Sequence, residues 1–297
     1  MSRKSIFRIG AAGLSFLIVL TVLEIAARAR LPRSTLTHFI RKSADSQLKD
    51  ELIPGVKTSF HGLRIPLSPT EVAISDQGFR DRHFAVPKPP GMRRILCLGD
   101  SFTFGWGVQA NEAWPKVLEE IIAETGRKVE CVNMGVPGYG LAQEVRLLET
   151  KGFALDPDLV LFGIVGDDLN DVQGRVGKKS AFEFLNWLAM RRRVRASESD
   201  KPNFNRAEET LNRLGLWAGD RRIPILFVLL NFIPEQDRFL RLLNRHDFPV
   251  IDLTQIQEEP LNRFSDIDRH PNARGHRLLA ENMETQVIKM MDRAKDR

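Results

Sequence analysis

RILCLGDSF, residues 94–102, decides the fold. Arg94 to Leu98 form a short apolar run that reads as a buried strand, and Gly99-Asp100-Ser101 turns the chain straight after it. Downstream, Trp114, Val117, Leu118, Ile121 and Ile122 fall at i, i+3, i+4, i+7 and i+8, the spacing of an amphipathic helix over 114–125. The alternation repeats. Strands are predicted at 129–133 (VECVN), 158–165 (DLVLFGIV), 223–230 (IPILFVLL) and 249–253 (PVIDL), with helices at 143–150 and from about 272 to 296. Continuous apolar strands separated by helices imply a parallel sheet covered on both faces, here a three-layer α/β/α sandwich with a mainly parallel five-stranded sheet. Ligands of such sheets bind at the carboxyl ends of the strands, which directs attention to 99–105, 133–140, 165–171 and 266–276.

The sequence before the sheet is of a different kind. AVPKPPG at 85–91 is a boundary, because consecutive prolines suit neither a helix nor a central strand. Residues 31–90, rich in Pro, Ser and His, read as a linker and an extended arm packing on a main domain over 91–297. Arg3, Lys4 and Arg8 precede an apolar run from Ile9 to Leu23, interrupted by Glu24 and resumed through Ala27. Residues 1–30 are therefore expected to be a transmembrane helix, an uncleaved signal anchor rather than a cleaved leader. Basic residues flank both ends, so the positive-inside count does not orient it.

Composition narrows the remaining classes. The 297 residues carry 44 Lys+Arg against 38 Asp+Glu, a formal charge of +6, and are 42% hydrophobic, the profile of an ordinary folding chain. No basic stripe interleaved with aromatics appears, so nucleic acid is not an expected partner. The two cysteines, Cys97 and Cys131, sit in no zinc-binding spacing and read as free buried thiols.

Four loops hold the polar residues. Ser101 is either a nucleophile at the mouth of the sheet or, with Asp100, a cap on the next helix. No GxSxG surrounds it, which excludes the strained elbow of the α/β-hydrolases. Asn133-Met-Gly135-Val-Pro-Gly138-Tyr-Gly140 permits close backbone approach, whether for an oxyanion donor or a plain turn. Gly166-Asp167-Asp168-Leu-Asn170-Asp171 gathers carboxylates without a histidine, a metal loop or a solvated acidic one. In Asp266-Ile-Asp268-Arg-His270-Pro-Asn272, a carboxylate two residues before a histidine can hold its Nδ1–H and leave Nε2 as a base. His276 reads as structural.

Together these blocks resemble the SGNH (GDSL) hydrolase superfamily over about residues 74–290, including Gly78-Phe79-Arg80-Asp81 and GDSFTFGWGV at 99–108. The likeness is to its bacterial membrane-anchored branch, and it implies a flavodoxin-like SGNH hydrolase fold and an esterase with no metal or organic cofactor. By position, the resemblance makes Ser101 the nucleophile and first oxyanion N–H donor, Gly135 the second donor and His270 the base. Asp268 orients that base, with Asp266 as fallback. The family's oxyanion asparagine aligns with Asp167, and an ionised carboxylate cannot donate there. A protonated Asp167, or Asn170 on a different loop path, would restore a donor. The resemblance further implies a catalytic domain outside the inner membrane, in the periplasm, acting on acyl esters, including those of acylated polysaccharides. An O-acyltransferase or a glycan-binding protein on a degenerate site are its alternatives.

Residues 172–206 are longer than a connection needs. A helix over 181–190 followed by Arg191, Arg192, Arg193 and Arg195 suits a lid, a lipid-facing helix or a packed surface helix. Trp106 and Tyr139 lie near the expected mouth, as sugar-stacking rings or as packing.

Overall fold

The computed structural model describes residues 3–30, 36–61, 68–170 and 201–295. The expected lid therefore lies, up to residue 200, outside the described residues. Helix α1 (Arg3–Arg30) carries the N-terminal apolar run and turns Phe7, Leu14, Phe16 and Ile25 outward. Among the described residues no helix is long and apolar enough to cross a membrane. The expected N-terminal helix forms over Arg3–Arg30, with Glu24 interrupting its apolar run after Leu23.

The arm folds into two antiparallel hairpins, β1 (Ile40–Lys42) with β2 (Asp50–Leu52) and β3 (Lys57–Phe60) with β4 (Thr70–Ala73). Such short ribbons are not stable alone. They hold because Phe39, Phe60, Val72, Phe79 and Phe84 are buried in the main core.

The sheet comprises β5 (Arg93–Gly99), β6 (Val129–Asn133), β7 (Leu159–Ile164), β8 (Ile225–Leu229) and β9 (Val250–Asp252), all parallel, in the order β6-β5-β7-β8-β9. All five predicted strands are present. Alternate residues face opposite sides. Leu96, Leu98, Phe162 and Phe227 point into a core shared with the arm, α4 (Leu141–Leu147), α5 (Phe204–Arg221) and α6 (Gln236–Arg245). Ile95, Cys97, Leu161 and Val228 point into a second core under α3 (Trp114–Glu124), α7 (Thr254–Glu258) and α8 (Ala273–Lys295). Cys97 and Cys131 are buried and unbridged.

The chain leaves β5 for one side of the sheet and returns to β7 on the other. This reversal opens a crevice at the carboxyl ends of β5 and β7. There Gly99 and Gly163 are register partners, and a Cβ on Gly99 would lie 2.1 Å from Thr103 Oγ1. Two glycines in register thus admit the helix that follows β5.

Candidate active site

That helix, α2 (Ser101–Phe104), is one turn long. Asp100 caps it, its carboxylate accepting from Phe102 N at 2.8 Å. The two readings of the GDSF turn are thereby both satisfied: Asp100 takes the cap, and Ser101 is left with its hydroxyl at the mouth. Ser101 Oγ lies 2.8 Å from His270 Nε2 and 3.0 Å from Asp100 Oδ2.

His270 arrives from the other end of the chain. Its loop is closed by Phe264 N donating to His270 O (3.1 Å) and Ser265 N to Asp268 O (3.0 Å). Asp268, buried, donates its backbone N–H to Ser265 Oγ at 2.9 Å and places Oδ1 2.5 Å from His270 Nδ1. Asp266 instead pairs with Arg263 at 2.7 Å, so the fallback orienting residue is engaged elsewhere. The imidazole is sandwiched by Trp106 (centroids 5.3 Å) and Phe102 (5.1 Å). Trp106 is buried against Phe60 and Tyr139 donates its hydroxyl to Asp50 O at 2.6 Å, so both rings pack inward rather than offering a sugar-stacking face.

Gly135 is held against the end of α2, where a Cβ would come 2.2 Å from Phe104 N. Its N–H donates to Asn133 Oδ1 at 3.0 Å. The expected second oxyanion donor is thus already engaged by its own turn, because the Asn133 side chain folds back on the backbone. Asp167 sits in the one-turn segment Gly166–Leu169 beyond β7, where Asn170 N closes the turn on Asp167 O at 3.1 Å. His276 is fully buried and its Nδ1 accepts from Trp114 N at 3.2 Å. Burial, with the charges of Arg80 and His270, pushes it down to about 3.

Three residues of the site were not predicted in these roles. Arg80, fully buried, donates to the carbonyls of Phe104, Gly105, Val108 and Glu71, tying the loop after Ser101 to the arm. Burial pushes its guanidinium down to about 10. Trp106 backs the histidine. Glu144, on a helix face that sequence spacing cannot orient, points inward beneath the catalytic loops. Burial first, then the charges of Asp100 and Asp167, raise it well above the ordinary carboxylate range. Asp168 is raised in the same way by burial and by Glu144, Asp100 and Asp167. Burial and the Asp167 charge push Asp100 up to about 6.

A parallel sheet with Ser101 at the end of a central strand, hydrogen-bonded to His270 and through it to Asp268, is an arrangement that suits a carboxylic-ester hydrolase. Residues 97–278 match the GDSL-like lipase/acylhydrolase family, and the chain belongs to it. An arylesterase of Vibrio mimicus is 32% identical over 79 residues, which make up 25% of this chain and 38% of that relative. The match therefore spans well under half of the relative's length. Among solved structures, the psychrotrophic esterase EstA of a Pseudoalteromonas species, inhibited by monoethylphosphonate, superposes with a TM-score of 0.50 at 15% identity. The superposition covers 67% of this chain and 99% of EstA. At that identity the likeness is one of fold.

Proposed function

We propose that the protein hydrolyses carboxylic esters through a Ser101 acyl-enzyme. The observation that carries this reading is the continuous chain Ser101 Oγ–His270 Nε2 and His270 Nδ1–Asp268 Oδ1, at 2.8 and 2.5 Å. Ser101 Oγ attacks the ester carbonyl while its proton passes to His270 Nε2. Asp268 holds the Nδ1–H and stabilises the imidazolium. Collapse of the tetrahedral intermediate expels the alcohol, which takes the proton back from Nε2. Water then repeats the sequence on the acyl-enzyme, releasing the acid and regenerating Ser101. The oxyanion would face the Ser101 N–H and the turn carrying Asp167.

A second reading follows from Asp167. A carboxylate at the oxyanion corner disfavours negative charge there, which suits a catalytically weak glycan-binding protein, whereas an O-acyltransferase would use the same residues and differ from an esterase only in its acceptor. The outward apolar side chains of α1 support seating residues 1–30 in a membrane, with the catalytic domain outside it and acylated polysaccharide, O-acetyl esters included, within reach.

Hydrolysis of p-nitrophenyl acetate by the wild type and Ser101→Ala, between pH 5 and 9, tests the first reading. Turnover abolished by the alanine is expected; equal rates in two folded proteins would refute a serine mechanism. Adding a glycan acceptor separates hydrolysis from acyl transfer. An alkaline phosphatase fusion after Arg297 should be active if the domain lies outside, and silent if it does not.

A further inference from the structure

Ser101 Oγ stands between two acceptors and carries one proton. It lies 2.8 Å from His270 Nε2 and 3.0 Å from Asp100 Oδ2. Each partner is fixed on its far side. Asp268 Oδ1 holds His270 Nδ1, which leaves Nε2 of the neutral ring an acceptor. Asp100 Oδ1 accepts from Phe102 N at 2.8 Å, which turns Oδ2 towards the serine. Asp100 is 3% exposed, and among the described residues it forms no ion pair with a lysine or arginine. The charged and titratable groups that bear on it are Asp167 and Asp168 from the turn after β7, Glu144 from α4 and His270 from the loop before α8.

Two hydrogen bonds on this hydroxyl oxygen need two protons among the three groups. With Asp100 ionised and His270 neutral there is one. A charged acceptor forms the stronger bond, so the Ser101 proton then faces Asp100 and turns away from the base. A second proton has two places to sit. On His270 Nε2 it spends the base. On Asp100 Oδ2 it is donated to Ser101 Oγ, whose own proton is left to His270 alone. Only this last arrangement fills both contacts with the base still free.

We propose that Asp100 serves the reaction as a neutral acid, a catalytic residue whose carboxyl proton bonds Ser101 Oγ and aims the serine hydroxyl at His270. The proposal deepens the esterase reading and rests on it. In acylation the Oγ–H bond breaks and its proton goes to Nε2, while the Asp100 O–H bond stays intact. In deacylation the Oγ–acyl bond breaks, and the same O–H stabilises the departing oxygen until Nε2 returns its proton. An ionised Asp100 would instead set a negative charge 3.0 Å from that oxygen. Its surroundings favour the acid: burial first, then the Asp167 charge, push Asp100 up to about 6 against the opposing pull of Phe102 N, His270 and Ser101. A carboxylic acid kept neutral by its site is a working hydrogen-bond donor.

Asp100→Asn separates the two forms. Its amide oxygen keeps the cap on Phe102 N, and its amide nitrogen is a permanent donor to Ser101 Oγ. The rate of Ser101 labelling by a fluorophosphonate and the rate of p-nitrophenyl acetate hydrolysis are measured on the full chain from pH 5 to 9. The ratio of variant to wild-type rates is expected near one at pH 5. It should climb about tenfold per unit above pH 6 and reach about 10² at pH 8, where about one wild-type molecule in a hundred keeps the Asp100 proton. Asp100→Ser keeps a cap but is too short to donate to Oγ, and covers the case of an asparagine variant that does not fold. It should label about tenfold slower than the wild type at pH 5 and gain on it as the pH rises. Labelled Ser101 with a flat ratio for the folded variant, or an asparagine variant slower than the wild type at pH 8, would overturn the role of Asp100 and leave the esterase standing. Labelling that follows the expected ratio without Ser101-dependent hydrolysis would sink the esterase reading and keep the proton arrangement. No labelling of Ser101 in either protein would overturn both.

Discussion

Asp268 and Asp167 are both carboxylates at strand-end loops, and their surroundings give them opposite work. Asp268 is 1% exposed, fixed by the Ser265 hydroxyl, and meets His270 Nδ1 at 2.5 Å. Asp268→Asn keeps that shape but favours the wrong imidazole tautomer. Its kcat should drop by about 10⁴ with the melting temperature little changed; an intact kcat would show that another group orients the base. Asp167 acts through charge. If Asp167 lies at the oxyanion corner, Asp167→Asn should hydrolyse p-nitrophenyl acetate about 10²-fold faster than the wild type, since an amide donates to an oxyanion and an ionised carboxylate does not. A slower variant would place Asp167 outside the oxyanion corner. Ser101, Asp268 and His270 were singled out by the family resemblance of their motifs, and the structure brings the three together. The engagement of Gly135 N–H by Asn133 was not, because a side chain folding back on its own turn leaves no separate sequence signal.

Among the elements, α8 and α3 are joined through a buried imidazole. His276 Nδ1 accepts the Trp114 N–H at the start of α3, and the site holds the ring neutral, down to about 3 against an ordinary 6.5. The unfolded chain therefore binds one more proton than the folded one between those values. Stability present above pH 6.5 is lost as pH falls through this window, with a slope of up to about 1.4 kcal/mol per pH unit. His276→Asn, whose Oδ1 can take the same N–H, should flatten the fall in denaturant midpoint between pH 6.5 and 4. An unaltered slope would assign the acid sensitivity to other groups. Strand and helix positions at this scale were legible: apolar runs gave β5 to β9, the 3.6-residue period gave α3, and a closing helix was expected where α8 lies. The inward face of α4 was not, since Gln143 and Glu144 are polar residues whose burial only their neighbours decide.

For the molecule as a whole, the arm completes the site. Phe39 stacks on Phe104 at 5.5 Å, Phe60 meets Trp106 at 4.1 Å, and Trp106 covers His270. Arg80 binds the loop after Ser101 through four carbonyls. Phe60→Ala, remote in sequence from every catalytic residue, should cost about 3–5 kcal/mol in denaturant unfolding. It should also lower kcat at temperatures where the variant remains folded, by releasing Trp106 from the histidine. A loss of stability with kcat preserved would reduce the arm to a scaffold.

By itself, the sequence determined the five strands and their parallel arrangement, and its family resemblance pointed to Ser101, Asp268 and His270, which the structure brings together. Each of these is written in local apolar patterning or in short motifs at strand ends. Only the tertiary structure decided what surrounds them. Two hairpins with little periodicity gain their stability from the core they join, and carboxylates from three separate stretches of the chain come within electrostatic reach of one another only when β5, β7 and α4 pack. Burial and through-space charge are properties of neighbours in space, and spacing along the chain does not encode them.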